Sequence, residues 1–282
     1  MTGIEKILMI IELALWTAYV KGEQEVSVLL TATVESGKTM LIMKFSLNSG
    51  IVVLTDATAY GIMHDYKQQI IARKIRHIVI PDMIKPMSRG KDTVHSLVAF
   101  LNSLVEEGVL RVSTYAESMG APNTSSAELN IHAVPVKCGL ITTLAKSYLL
   151  DGRHHWAKMG FMSRMLPVSY SYNPATKMEI HKSIAERKYI SDTPIKLGFP
   201  TDDVEIKLEL PEANQLMNLT NNLTSVQNRT NSEKIYGFRL QKQLQRLAMA
   251  AALREGRAIV EQKDVDLLHD LSTYMNLDYY PM

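Results

Sequence analysis

The run Ala32-Thr33-Val34-Glu35-Ser36-Gly37-Lys38-Thr39 holds the residue types that bind a chain of phosphates. Such a site needs a tight loop whose backbone N–H groups wrap phosphate oxygens. It also needs a lysine for the terminal phosphates and a hydroxyl for Mg²⁺. Lys38 and Thr39 supply the last two, and Met40 carries the cradle into the next helix. Ala32 stands where the phosphate-loop pattern has its first glycine, and alanine is the smallest replacement. The expected ligands are ATP and Mg²⁺.

Further residues fit around a bound triphosphate. Ile78-Val79-Ile80-Pro81-Asp82 is an apolar run ended by an aspartate. Placed beside the phosphate-loop strand, Asp82 supports the metal together with Thr39. Leu140-Ile141-Thr142-Thr143 reads as a buried strand ending in two hydroxyls, either of which could position a water near the γ-phosphate. Arg164 precedes a further strand and is a candidate finger reaching into a neighbouring subunit. Arg239 and Arg246 fall on one face of a helix. Hydrolysis also needs a group to orient or deprotonate water. Met83, next to Asp82, has no basic lone pair, so Glu35 inside the loop is the substitute base.

The elements that must hold these residues alternate. Glu25–Thr31, Ile51–Thr55, His77–Ile80, Val134–Thr143 and Leu166–Tyr172 read as strands. Thr39–Leu47, Tyr60–Arg73, Thr93–Glu107 and Thr176–Lys188 read as helices. That alternation predicts an α/β fold, a parallel sheet sandwiched by helices. Val109–Tyr115 reads as another strand, and the polar Ala116–Asn130 as a hairpin tip or loop. Beyond about residue 190 the pattern turns helical. Glu233–Arg254 is rich in helix formers and stops at Gly256, and a last helix runs from Val260 to about Met275. The expected division is a nucleotide-binding core over 1–190 and a small all-α lid over 191–282.

Composition narrows the setting. The 31 Lys and Arg balance 29 Asp and Glu to a net charge of +2, so contact with nucleic acid would need a local basic patch. The single cysteine, Cys138, excludes an internal disulfide and fits a cytoplasmic protein. Ile7–Val20 is apolar but short for a membrane span and interrupted by Glu12, so it reads as a packed helix without membrane contact.

In order and kind, these elements resemble an AAA+ ATPase from about Ile4 to Leu277. The run from Phe238 to Ala250, with Val260-Glu261-Gln262-Lys263-Asp264-Val265, looks like the lid helices of the minichromosome-maintenance helicase branch. The resemblance implies a sensor-2 role for Arg239, which opens its helix, and a sensor-1 role for Thr142 or Thr143. Ser163-Arg164-Met165 resembles the group's Ser-Arg-Phe finger. Glu107-Gly108-Val109 and the segment after it resemble a hairpin facing DNA in a central pore, with Arg111 and Lys137 as its basic contacts. A ring-forming homo-oligomer acting on DNA is thus implied, with slow hydrolysis because Met83 replaces the family's glutamate. The alternatives are a nucleotide-gated scaffold with little turnover and a protein-remodelling ATPase.

Overall fold

The computed structural model describes residues 4–108, 135–151, 160–187, 193–228 and 236–275. The elements in chain order are α1 (Ile4–Trp16), β1 (Val28–Ala32), α2 (Lys38–Met43), β2 (Gly50–Val53), α3 (Ala59–Ile71), β3 (Ile75–Ile80), α4 (Ile84–Met87) and α5 (Lys91–Glu106). They continue with β4 (Gly139–Ala145), α6 (Lys146–Asp151), β5 (Leu166–Ser169), α7 (Pro174–Ala185), α8 (Leu210–Asn228), α9 (Phe238–Arg254) and α10 (Gln262–Leu271). The strand and polar segment expected over 109–130 lie outside the described residues, and so does Arg111.

The five strands form one all-parallel sheet in the order β2-β3-β4-β1-β5, the expected α/β architecture. One expectation is corrected: β3, which ends just before Pro81 and Asp82, is not the neighbour of β1. β4 lies between them, pairing Val28–Ala32 of β1 on one side and His77–Ile80 of β3 on the other.

Both sheet faces are covered, so the strands read as unbroken apolar runs. Val28, Leu30, Val79 and Ile141 face one apolar cluster, and Leu29, Ile78, Ile80 and Leu140 face the other. That alternation is the two-residue period of a strand. The second cluster is filled by α3 and α5 through residues such as Ile62, Ile70, Leu97 and Leu101. The first holds α1, α2 and the C-terminal helices α8–α10. The Ile7–Val20 run becomes α1 and a single 3₁₀ turn, Thr17–Tyr19. Its Ile7, Ile10, Ile11 and Leu15 are essentially inaccessible and share a cluster with Leu244, Leu247 and Ala251 of α9. The apolarity of this run is thus explained by packing. No described helix is long and apolar enough to cross a membrane.

Ion pairs pin the C-terminal helices to α1 and its surroundings: Arg254 Nε–Glu12 Oε1 at 2.6 Å and Arg246 Nε–Glu23 Oε2 at 3.0 Å. Arg246 therefore has a structural partner. Helix boundaries follow local chemistry. α3 begins at Thr58, whose hydroxyl accepts from Gly61 N, and α7 at Asn173, whose side chain accepts from Thr176 N with Pro174 following. α10 starts two residues later than expected, where Glu261 and Asp264 form a reciprocal capping box. Residues 84–87 form the short α4, at whose start Asp82 Oδ1 accepts from Ile84 N at 2.9 Å.

Candidate functional site

The phosphate-loop candidate leaves the C-terminal end of β1. Ala32 is the last residue of that strand and only 1% exposed. The loop turns through two left-handed residues, Glu35 at φ 63° and Gly37 at φ 77°. Glycine takes that conformation freely, whereas glutamate is held there against a cost of about 1 kcal/mol. Ser36 ties the turn together by donating its hydroxyl to Thr33 O at 2.7 Å. From the far side of β1, Tyr170 and Tyr172 both donate to Ser36 O, at 2.7 and 2.5 Å.

Lys38 folds back over the loop. Its ammonium donates to Thr33 O at 2.7 Å and Ala32 O at 3.2 Å, with Ser36 Oγ at 3.4 Å. Partial burial lowers the Lys38 pKa, opposed by the nearby Asp82 carboxylate. Neutral carbonyls therefore solvate this cation, and no carboxylate is bonded to it. Thr39 Oγ1 donates to Pro81 O at 3.3 Å, which brings the hydroxyl beside the chain leading into Asp82. Thr39 is thus bonded to the residue before Asp82, and Asp82 acts on Lys38 through space, although β4 separates their strands. Asp82, Thr39 and Glu35 are exposed; Val34 is 70% exposed at the loop's tip, and Met40 is half-buried.

A divalent cation fits this arrangement. Mg²⁺ takes one or two protein oxygens, keeps water and shares phosphate oxygens, and an exposed carboxylate beside a hydroxyl suits that pattern. The described residues contain no cluster of three or more His, Cys, Asp or Glu that would hold a metal without a phosphate.

The threonines of β4 are placed differently from the expectation. The strand continues to Ala145, so Thr142 and Thr143 are internal, at 0% and 2% exposure. Thr142 Oγ1 donates to Ile80 O at 2.8 Å, and Thr143 Oγ1 to Pro81 O at 2.7 Å. Their hydroxyl protons brace β3 and the turn that presents Asp82. The residue that leaves β4 at the loop's edge is Lys146. With Thr33, Ser169, Tyr170, Ser171, Thr273 and Tyr274 it lines a polar cleft of about 300 Å³. The sequence reading missed Lys146, Tyr170 and Tyr172. The two tyrosines carried a signal, the alternation Tyr170-Ser171-Tyr172 just past a strand.

Met83 is wholly buried in the cluster beneath α5, and its N–H donates to Thr143 O at 3.1 Å. The position after Asp82 therefore points into the core, which explains a methionine there: a carboxylate would be desolvated without a partner.

Arg164 and Arg239 lie at the other edge of the sheet. Arg164 sits just before β5, where Leu166 N donates to Ser27 O ahead of β1. Both arginines close on one carboxylate at the end of α5. Arg239 grips Glu106 from Nε at 2.9 Å and from Nη2 at 2.8 and 3.1 Å, and Arg164 Nε stands 2.5 Å from Glu106 Oε2. Arg239 Nη1 also donates to Ser163 Oγ at 3.2 Å, and Arg164 Nη1 to Gly160 O at 2.8 Å. Burial would raise the Glu106 pKa, but the two guanidiniums outweigh it and hold the carboxyl below its usual range. Six or so strand residues separate this cluster from the phosphate loop, on the order of 20 Å. The structure therefore brings Arg239 to Arg164 and not to Lys38. Lys137, another basic candidate, donates to Gln24 Oε1 at 3.1 Å on the same edge.

The fold and site define a class: an α/β protein with a five-stranded parallel sheet flanked by helices, of Rossmann-like or P-loop type, with a lysine-bearing loop at the sheet's C-terminal edge. No protein-family model matches the chain, and no curated protein sequence matches it.

Proposed function

We propose that the chain binds ATP and Mg²⁺ at residues 32–40 and works as an oligomeric AAA+-type ATPase of the helicase-like branch, acting on DNA with slow basal hydrolysis. The observation that carries the nucleotide part is the Lys38 ammonium, folded onto neutral carbonyls beside Thr39 and Asp82. A cation satisfied only by carbonyls gains when a phosphate oxygen replaces them, because charge-assisted bonds are roughly twice as strong. Lys38 then holds the terminal phosphates, and the Thr39 hydroxyl with Asp82 faces the metal, which when bound neutralises charge on the phosphates.

Arg164 and Arg239 are too far from their own loop to touch its nucleotide. Their shared position supports a role toward a triphosphate on a neighbouring copy, with Glu106 holding them in its absence. That is the basis for a homo-oligomer, a ring being its closed form. Slow turnover follows from Met83, whose buried side chain offers no base, and Glu35 is the nearest exposed carboxylate on the loop. The DNA role rests on the family resemblance. A nucleotide-gated scaffold is the second reading, favoured by the same buried Met83; a protein-remodelling ATPase is the third.

The discriminating experiment measures ATP binding and hydrolysis with single-stranded DNA, double-stranded DNA or an unfolded protein, on material sized by light scattering. Hydrolysis by an oligomer, stimulated by DNA and weakened by salt, is the expected result. Tight ATP binding with no turnover under any condition replaces the motor with the scaffold. Stimulation by the unfolded protein alone replaces it with remodelling.

A further inference from the structure

Two phenols reach the loop of residues 32–40 from outside; their rings pack against the first apolar cluster, while their hydroxyls are directed to the loop. Tyr170 and Tyr172 stand one residue apart past the end of β5, with ring centroids 5.6 Å apart at 60°. Both hydroxyls converge on a single acceptor, Ser36 O, at 2.7 and 2.5 Å. One donor would satisfy this carbonyl, and two fill both of its lone pairs. Burial is the main cause raising the pKa of each phenol, so both keep the proton they donate.

That carbonyl belongs to the Ser36–Gly37 peptide, immediately before Lys38. The described peptides are all trans. A trans peptide places its C=O and N–H on opposite sides. Fixing Ser36 O toward the tyrosines therefore turns the Gly37 N–H away from them. Gly37 holds a left-handed φ of 77°, and its own carbonyl accepts from Leu41 N at 3.1 Å as α2 begins. Ser36 is tied to Thr33 O through its hydroxyl, and the phenols hold the carbonyl of the Ser36–Gly37 peptide between these two anchors. Two donors on the carbonyl also polarise the amide and strengthen its N–H as a donor.

We propose that Tyr170 and Tyr172 are positioning residues for phosphate binding: they lock the Ser36–Gly37 peptide so that the Gly37 N–H is presented to a phosphate of the nucleotide. This rests on residues 32–40 being the nucleotide site. The tyrosines touch no nucleotide in this assignment and act only through the peptide. The ligand class is a nucleoside di- or triphosphate, because the proposed function assigns the terminal phosphates to Lys38, the residue after Gly37, and a nucleoside monophosphate lacks them.

The test uses Tyr170→Phe, Tyr172→Phe and the double variant in the full chain, which keep both rings and remove only the hydroxyls. Kd is measured by calorimetry for ATP, ADP and AMP with Mg²⁺, beside Lys38→Ala. Each single variant leaves one donor and should weaken ATP and ADP about three- to tenfold; the double variant should weaken them about tenfold to a hundredfold. AMP affinity should stay within about twofold, and the melting temperature without nucleotide within about 3 °C. The proposal is overturned if the double variant binds ATP like the wild type. It is equally overturned if ATP, ADP and AMP weaken alike along with the melting temperature, since the phenols then only stabilise the fold. Failure of the underlying site looks different: Lys38→Ala would bind ATP like the wild type.

Discussion

The Glu106 cluster at the N-terminal edge of the parallel sheet and the Lys38 loop at its C-terminal edge treat positive charge differently. The arginines described near the N-terminal edge are matched to carboxylates, as Arg89 is to Asp56 beyond β2 at the other edge. Arg73 and Arg76 reach Asp203, and Arg164 and Arg239 share Glu106. Arg246 takes Glu23. At the C-terminal edge Lys38 is bonded only to carbonyls and a hydroxyl, with Asp82 influencing it through space. Carboxylates already balance the arginines of the first edge. At the second, the three ammonium protons of Lys38 rest on neutral oxygens, which a phosphate of the proposed nucleotide would replace with charge-assisted bonds. In the proposed function, the arginines must therefore leave Glu106 to meet an anion, whereas Lys38 gives up only neutral partners.

Lys38→Ala bears hardest on this contrast. ATP affinity should fall on the order of a hundredfold or more, the loss of a charge-assisted contact of about 3 kcal/mol. The fold should stand, since Lys38 lies on a loop junction and not in either apolar cluster. Calorimetry showing equal affinity in wild type and variant removes the distinction between the edges.

A second large effect concerns groups buried at the N-terminal edge. His77 is 1% exposed with Nε2 unbonded, and its ring would meet a Cβ on Gly139 at 2.3 Å, so only glycine fits there. Burial pushes its pKa down to about 4. Glu25 is equally buried, and burial raises it to about 7 against the opposing charges of Arg73 and Arg76. Cys138 and Asp203 complete the charged and titratable surroundings. For His77, stability is present above the unfolded value of 6.5 and lost as pH falls through about 4. For Glu25, stability is present below 4.5 and lost as pH rises through about 7. Between about 4.5 and 6.5 the two slopes cancel, so the melting temperature should be flat there. His77→Gln should leave a decline across that window, and Glu25→Gln a rise, each of roughly 3 kcal/mol in total. Parallel pH profiles for both variants and the wild type would remove these groups from the account.

The arginine pair tests the contrast across a subunit boundary. In mixed assemblies, Arg164→Ala with Arg239→Ala should depress turnover at partners with intact loops by about tenfold or more, while their ATP affinity changes little. A chain that stays monomeric with ATP and DNA leaves the pair as a cis brace on Glu106. The smallest effect is expected at Glu35. Glu35→Gln should slow hydrolysis about tenfold if that carboxylate serves as base; a steady-state rate equal to the wild type assigns its left-handed position to loop shape alone.

Local features were legible in the chain before it folded. The β-branched and aliphatic stretches within Glu25–Thr31, His77–Ile80 and Val134–Thr143 name buried strands because a covered parallel sheet leaves no polar face; the strands themselves occupy Val28–Ala32, Ile75–Ile80 and Gly139–Ala145. The Gly37-Lys38-Thr39 triplet marks a strand-to-helix loop, and the structure places it between β1 and α2. Helix-forming composition likewise locates α9. Adjacency, in contrast, arose only in three dimensions. Strand order is invisible along the chain, so the insertion of β4 between β1 and β3 could not be read from either strand. The length of β4 placed Thr142 and Thr143 inside the strand, where sheet carbonyls claim their protons. The fate of a long charged side chain also depends on the nearest carboxylate in space: Glu106 lies 133 residues from Arg239 in sequence, and no periodicity links them. The apolar N-terminal helix was readable as packed, but its cover, α9, came from the opposite end of the chain, because burying both faces of a sheet requires apolar surface from wherever the chain can return it.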